Sequence, residues 1–420
     1  MKIPGGFGAL RRTFAIRDYR LFVIGNLTSN IGLWTQRVAL LWLTWELTRS
    51  AAWLGAIAII ESAPMFFFAL IAGTVVDRVD YFKLLRITQS MSLVYAVAMA
   101  VLTLGGWMNI WLLVAIVIVR GTVTAFNRPS RMTVIFSLVG RDMLPSAVAL
   151  NSIIFNVSRF IGPAVGGSVI VLAGIGWTFA AAAGLFFVFT LMLHLISTRV
   201  APPPAREKRS IAAETMEGLK YMLVHPGIRI QMLLLVMIGF LAKPLSDLLP
   251  GFVSDVFGRG PEGLAIFTSS YGAGAMIGAF YMASRDKGVS GLTVISICGV
   301  LLIGLGTLLF VATPIFLVGC VAIFIIGLAA IMQNVANQTL IQSASDPVMR
   351  GRVISNHGLV QHCAPSIGAL IMGTIAEHAG LRPPLAVGAA VCVLFWIWAW
   401  QQRRALMRAL ETPVTGPGAL

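Results

Sequence analysis

Glu61, Asp247, Arg37, Arg120, Arg159 and Lys243 stand inside runs otherwise fit for hydrocarbon. A charged side chain near a bilayer centre costs about 2.5–3.5 kcal/mol on insertion scales, so such residues face a protein interior and take partners. The chemistry open to them is proton exchange on a carboxylate, or an ion pair that forms in one state and breaks in another. Glu61 lies in "IAIIESAPMF", roughly 12 Å below the outer end of its helix at 1.5 Å per residue. Arg37 reaches a similar depth on the preceding helix. A Glu61–Arg37 pair, opened by protonation of Glu61, would couple a proton to a conformational change; a permanent salt bridge is the plainer alternative. Lys243 and Asp247 in "LAKPLSDLLPGF" are spaced i, i+4. They suit self-neutralisation on one helix, which Pro244 and Pro250 break near its outer end, or a second proton site at Asp247.

Bond-making chemistry has little support. No phosphate loop of the form GxxxxGK[ST] is present, no nucleophile–base set stands out, and no metal-ligand spacing occurs. The chain is expected to be no enzyme and to need neither cofactor nor metal. His357 and Gln361 share a helical face; a lone histidine there reads first as hydrogen-bonded filler.

The elements that position these residues are membrane helices. Of 420 residues, 58% are hydrophobic and 11% charged, against about a quarter charged in soluble domains. Apolar runs long enough to cross a bilayer predict twelve spans, near 19–46, 53–76, 83–105, 108–127, 145–173, 175–198, 228–253, 262–284, 290–311, 313–337, 351–376 and 383–402. The net charge of +15 invites a nucleic-acid partner, but its placement argues against one. Of 31 Lys and Arg residues, Arg49, Arg259 and Arg382 fall in outer loops and Arg37, Arg120, Arg159 and Lys243 within spans; the rest sit in inner segments. That is the positive-inside pattern, with both termini cytoplasmic. Contact with anionic membrane lipid is expected along the inner face. Cys298, Cys320, Cys363 and Cys392 all fall in spans and read as small core residues. The first residues lack an apolar core with a cleavage site, so no cleaved signal peptide is expected.

The longest polar interruption, residues 197–227, holds a proline run, a basic cluster and then "SIAAETMEGLKYML". This predicts a cytoplasmic linker with an interfacial helix, Ser210 as its N-cap and Glu214 in its first turn. The expected divisions are a six-helix bundle over 1–198, the linker over 199–227, a second bundle over 228–403 and a cytoplasmic tail over 404–420. The bundles repeat each other. "LPSAVALNSIIFNVSRFIGPAVGG" lies over "RGRVISNHGLVQHCAPSIGA", Asn151 meeting Asn356, at an offset of roughly 200 residues.

"GTVVDRVDYFKLLR", after the second span, resembles the loop motif of the major facilitator superfamily through Gly73, Asp77 and Arg78; Asp80 stands where a later Gly is usual. "FIGPAVGG" resembles the fifth-helix motif of its antiporters. "RDYRLFVIGNLTSNIGLWTQRVAL", "NRPSR" and "LPSAVALNS" look like the drug- and siderophore-exporter branch that holds enterobactin exporters and macrolide efflux proteins. The resemblance covers nearly the whole chain. It implies an all-α membrane fold of twelve helices in two six-helix bundles, with alternating access. It further implies a cytoplasmic gate loop at Gly73, Asp77 and Arg78, and weakly a proton-transfer or packing role for Arg120.

Residues 159, 162 and 166 share one face of the fifth span. Gly162, Pro163, Gly166 and Gly167 read as a close-packed, bendable hinge, with Gly274 and Gly278 of the eighth span as candidate partners. Arg159 is a cavity or gating charge, or one half of a buried structural pair. Asn26, Asn30, Asn334 and Gln361 are candidates to line a cavity between halves, and Trp34, Trp42, Trp45 and Phe66 to Phe68 to contact a bulky apolar substrate, although most of these aromatics suit packing or interface anchoring. The function expected is secondary active, proton-coupled efflux of a small amphiphilic molecule, a drug or a siderophore. The place is the bacterial cytoplasmic (inner) membrane. Partners are a small-molecule substrate, protons and membrane lipids, with no nucleic acid, the chain acting as a monomer. Rival readings are a lipid transporter or importer on the same fold, and a non-transporting membrane sensor.

Overall fold

The computed structural model describes residues 14–76, 80–139, 143–197 and 211–411. Every regular element among them is helical. The first six long helices are α1 (Arg17–Thr48), α2 (Ala51–Val76), α3 (Tyr81–Leu104), α4 (Ile110–Leu138), α5 (Leu144–Ala173) and α6 (Ile175–Leu195). A short helix, α7 (Ile211–Val224), precedes α8 (Pro226–Leu241) and α9 (Leu245–Gly251), which runs into a π-helical turn at Phe252–Val256. Then come α10 (Pro261–Ala283), α11 (Leu292–Ala312), α12 (Phe316–Ala344), α13 (Arg350–Ala379), α14 (Arg382–Gln401) and α15 (Arg403–Glu411). Among the described residues, 11 stretches are long and apolar enough to cross a membrane, α8, α9 and the π turn counting as one. To these α1 adds a helix of 32 residues, long enough to span but diluted by Asn26, Asn30, Gln36 and Arg37.

Several helix ends are closed by side chains, which satisfy otherwise unpaired backbone donors and acceptors. Asp80 caps α3, accepting from the backbone N–H groups of Phe82 at 2.8 Å and Lys83 at 3.2 Å. Asn109 caps α4 in the same way, through Trp111 and Leu112. His225 caps α8, its Nδ1 accepting from Ile228 N–H at 3.2 Å ahead of Pro226. The carboxylate of Glu411 on α15 caps α11 through Gly291 and Thr293. At the other polarity, Arg86 donates to the carbonyls of Leu193 and Ile196 at the end of α6.

Two spans differ from their expected outlines. The fourth continues to Leu138 rather than ending near 127, carrying Pro129 inside it. Arg128 and Arg131, which the basic "NRPSR" suggests as loop charges, therefore sit on a helix. The seventh span is not one helix. Pro244 has no N–H to donate and crowds the preceding turn, so α8 stops at Leu241 and α9 restarts at Leu245. Lys243 N–H reaches back to the carbonyl of Ile238. The i, i+4 spacing of Lys243 and Asp247 thus crosses a break instead of following one helix.

Packing divides the chain into two compact units. One comprises Met1–Leu47, Ala63–Glu207 and Leu264–Ser269; the other comprises Thr48–Ser62, Lys208–Gly263 and Ser270–Leu420. The core of the first is built on Tyr19, Phe22, Leu85, Val134 and Phe189, with Phe22 and Phe189 edge to face. The core of the second is built on Ile228, Leu234, Ile297, Val300, Leu340 and Leu406. The start of α2 belongs to the second unit for a local reason. A Cβ on Gly55 would lie 2.3 Å from the carbonyl oxygen of Ala369, and one on Gly373 would lie 2.4 Å from that of Ala51. Only glycines allow α2 and α13 to touch backbone to backbone. Glu377 completes this contact, accepting from Ala52 N–H at 3.0 Å and from the Ser50 hydroxyl. Arg49, in the left-handed region with φ 49, donates to Ser254 Oγ at 3.2 Å.

The linker helix α7 forms as its sequence predicts, with Glu214 in its first turn; Ser210 lies outside the described residues. It is tied to α13: Arg352 pairs with Glu217 at 2.9 Å and Glu214 at 3.7 Å, and Asn356 donates to the Thr215 carbonyl.

Candidate functional site: membrane-embedded charges and buried polar hubs

The charges singled out by their surroundings all sit on membrane helices. Arg37 is on α1, Arg120 on α4, Arg159 on α5 and Glu61 on the strip of α2 that packs with the second unit; Lys243 occupies the α8–α9 break and Asp247 the first turn of α9. Arg120 and Asp247 are each only 4% exposed. Each of the six is engaged with a neighbouring group. The guanidinium of Arg159 lies over the Trp34 ring, 5.2 Å from its centroid, and Trp34 meets Phe155 edge to face. This gives Arg159 an aromatic face in place of water.

The hinge glycines have a partner other than the one their sequence suggested. A Cβ on Gly162 would lie 2.4 Å from Trp34 Cβ, and one on Gly166 would lie 3.0 Å from the Thr35 carbonyl oxygen. Both therefore seat α5 against α1, and Thr35 Oγ1 donates to the Gly162 carbonyl at 3.0 Å. Pro163 follows within an unbroken α5 and leaves the Arg159 carbonyl without its helical donor. Gly274 and Gly278 face α12 instead, at Phe324, Leu328 and Ile331.

The polar residues fall into two hubs. In the first unit the centre is Arg131. Its Nη1 donates to Asn26 Oδ1 at 2.9 Å, and its Nη2 to Ser29 Oγ at 3.2 Å and Gln89 Oε1 at 3.3 Å. Its guanidinium lies over Phe189 at 5.0 Å. Asn26 in turn donates to Asn151 and accepts from Asn30. One arginine thus binds α1, α3, α4 and α6 directly and α5 through Asn26. Among the described residues no carboxylate pairs with it; three neutral acceptors and a ring do the work.

The hub of the second unit centres on Asn337, which is fully buried. Its Nδ2 donates to both the backbone carbonyl and Oε1 of Gln231, each at 2.8 Å. Ser296 Oγ also donates to Gln231 Oε1 at 2.8 Å, and His357 Nε2 lies 3.1 Å from Asn337 Oδ1. These contacts join α8, α11, α12 and α13. Asn334 Oδ1 and Gln361 Oε1 are enclosed acceptors with no donor among the described residues, and Gln231 Nε2 is an enclosed donor with no acceptor there.

Residues 10–412 match the family described as transmembrane secretion effectors. The chain belongs to that family. It is 26% identical to the multidrug efflux pump Tap of Mycolicibacterium fortuitum over 86% of this chain and 90% of Tap. Against macrolide efflux protein A of Streptococcus pyogenes it is 23% identical over 82% of this chain and 86% of that protein. Against the staphyloferrin A transporter of Staphylococcus aureus it is 27% identical, and the match spans 54% of this chain and just over half, 57%, of that protein. Solved structures share the fold at low identity. A bacterial homologue of the human lysosomal transporter Spinster, in an inward-facing conformation, superimposes with a TM-score of 0.70 at 13% identity, covering 96% of this chain and 99% of that one. A peptide transporter of the POT family gives 0.74 at 13% identity, covering 98% of each chain.

This transmembrane secretion effector is therefore a multi-pass membrane transporter of the major facilitator type, not an enzyme. Its departure from the family loop has a structural use: Asp80, where a Gly is usual, is the N-cap of α3. Asp77 and Arg78 lie outside the described residues, and of Gly73 only its place in α2 is described. Sequence reasoning placed Asn26 and Asn30 with the cavity; both are buried, 1% and 7% exposed, in the Arg131 hub. It read Arg131 only as a loop charge of "NRPSR" and passed over Gln89, Gln231 and Ser296. The signal lay in the internal repeat, because Asn26 and Gln231, like Asn151 and Asn356, are separated by about 205 residues.

Proposed function

We propose that the chain is a secondary active exporter, driven by proton antiport, that moves a small amphiphilic molecule of the drug or siderophore kind by alternating access. Relatives named for multidrug, macrolide and siderophore transport support the substrate class and the outward direction. The observation that carries the coupling is Glu61. It is a half-buried, engaged carboxylate on an apolar span, less than two turns from Gly55 and the backbone contact of α2 with α13. Protonating it removes one charge from a helix whose packing depends on close approach, and so biases any equilibrium in which that approach changes. Asp247, in the first turn beyond the α8 break, is the second proton candidate. Lys243, Arg37, Arg120 and Arg159 supply charge along the route or its gate, and Gly73, Asp77 and Arg78 supply the cytoplasmic gate loop. Bundles over 1–198 and 228–403, a cytoplasmic linker over 199–227, cytoplasmic termini, a bacterial inner-membrane location and a monomeric state complete the reading.

The test uses proteoliposomes loaded with a pH dye. A proton gradient is imposed, macrolides and catecholate siderophores are added, and wild type is compared with Glu61→Gln. Substrate-evoked proton flux in wild type that vanishes in the variant is the expected result. Flux that survives moves the proton to Asp247. Absence of flux from wild type with every compound, despite measurable binding, refutes proton-driven transport.

A further inference from the structure

The two hubs are copies of one arrangement. Asn26 on α1 corresponds to Gln231 on α8, Gln89 on α3 to Ser296 on α11, and Arg131 on α4 to Asn337 on α12, each pair separated by about 205 residues. Asn151 on α5 corresponds to Asn356 on α13, beside which stands His357. The hydrogen bonds repeat as well. The residue from the fourth span of each repeat donates to the residue from its first, Arg131 to Asn26 and Asn337 to Gln231. The hubs differ in charge. The first holds a permanent guanidinium; the second holds a neutral amide and an imidazole.

The geometry assigns the imidazole its tautomer. Asn337 Nδ2 donates to a backbone carbonyl, so its Oδ1 is an acceptor, and His357 Nε2 must carry the hydrogen it donates there. Nδ1 is then the basic nitrogen, and no described residue occupies it. His357 as a whole is 5% exposed. On the same face, one turn on, Gln361 Oε1 is enclosed without a donor; Asn334 Oδ1, one turn before Asn337, is enclosed likewise. A second ring N–H is what such acceptors lack.

Charges around the ring are few. Lys243, at the α8 break, is the charge that acts on it. From α7, Glu214 and Glu217 are paired with Arg352 of α13 itself. Lys220 on α7, Arg229 on α8, Asp247 on α9, Arg382 on α14 and Glu61 on α2 complete the charged groups of the elements packed against α13, and α12 carries none. A proton on His357 and the Lys243 ammonium repel.

We propose that His357 is the proton-carrying residue of the second unit, binding a proton at Nδ1 and becoming the switchable counterpart of the fixed charge of Arg131. The first hub shows that this arrangement tolerates a cation among neutral acceptors. In the second, the cation comes and goes with solvent protons, and Nε2–H holds Asn337 in both states. The inference rests on the proton-driven reading above and adds a proton site to it that is neither Glu61 nor Asp247.

The experiment measures two fluxes in proteoliposomes, for wild type, His357→Gln and His357→Asn. One is exchange of radiolabelled macrolide at zero gradient; the other is substrate-evoked proton flux. The expected result is that both variants keep exchange and lose the proton flux. Proton flux retained in both variants, with wild type coupled, overturns the role of His357 and leaves proton-driven export standing. Exchange without proton flux in wild type refutes the proton-driven reading, and this inference falls with it. Loss of exchange in both variants overturns it too, because the ring then serves only to hold the hub together.

Discussion

Gly55→Ala tests whether the two helix backbones meet as closely as the structure has them. A Cβ at 55 would stand 2.3 Å from the Ala369 carbonyl oxygen and 2.7 Å from Leu370 Cα, where ordinary contact begins at 3.4 Å. Both are backbone atoms, so no side chain can rotate away. Relief requires α2 and α13 to part by about 1 Å. Parting also loosens the Gly373–Ala51 approach and stretches the 3.0 Å bond from Ala52 N–H to Glu377. Overpacking of this kind costs about 1–3 kcal/mol, and backbone-on-backbone overlap belongs at the upper end. Against it, Ala is the better helix former by about 1 kcal/mol. The net loss is about 2 kcal/mol. Gly184→Ala is the matched control, since nothing lies within 4 Å of its Cβ position and only the helix-propensity gain remains. For 420 residues the unfolding entropy is about 0.9 kcal/mol/K, or roughly 1 °C per kcal/mol, so with about 3 kcal/mol between the two variants Gly55→Ala should melt about 3 °C below Gly184→Ala. Cys298, Cys320, Cys363 and Cys392 are free thiols, so melting followed with a thiol-reactive dye in detergent reads the difference. Equal melting temperatures would refute the claim that α2 and α13 touch through their backbones.

Replacing Arg131 by Met should remove three hydrogen bonds, those to Asn26, Ser29 and Gln89; at about 0.6–1.7 kcal/mol for each hydrogen bond between membrane helices, the loss is roughly 2–5 kcal/mol. Arg131→Lys keeps the charge but not the fork, and should melt between wild type and Arg131→Met. His225 gives a pH dependence. Burial holds its ring below the ordinary value of 6.5, and its neutral Nδ1 is the acceptor that caps α8. Folding therefore opposes protonation. The capping contribution is complete above about pH 6.5 and is lost as pH falls below it, so the melting temperature should drop on acidification in wild type. In His225→Asn that component of the drop should disappear, because an amide caps without titrating.

What could be read from the chain was whatever depends on runs of residues. Apolar length fixed the spans, and the Gly-Pro-Gly pattern after Arg159 marked a close contact. Pro244 marked a break that the structure has at that residue. Boundaries were lost where a helix outlasts its apolar run: α4 carries Arg128 and Arg131 past Pro129, because backbone hydrogen bonding continues after hydropathy stops. Packing partners were lost for a different reason. Gly162 and Gly274 each announce that another backbone comes close, yet a glycine face says nothing about which helix meets it, and the partners proved to be α1 and α12. The hubs were obscured because their polar members are scattered over four helices in each unit, with no local spacing to betray them.

The repeat supplies the missing long-range information, and it does so through chemistry as well as position. A polar residue on a membrane helix is costly unless partnered, so a duplicated unit must keep its polar positions in matched sets or lose them together. The first unit keeps the set around a guanidinium of five donors, whose Nη1 and Nη2 satisfy acceptors on α1 and α3 at once and whose charge is permanent. Substituting an amide at the corresponding place, Asn337, removes three of those donors and the charge. The neighbouring histidine restores one donor through Nε2 and leaves the charge optional. Two units with identical hubs would respond identically to pH. On the proposal above only the second hub takes up a proton, so a proton would bias the packing of one unit and leave the other's hub unchanged.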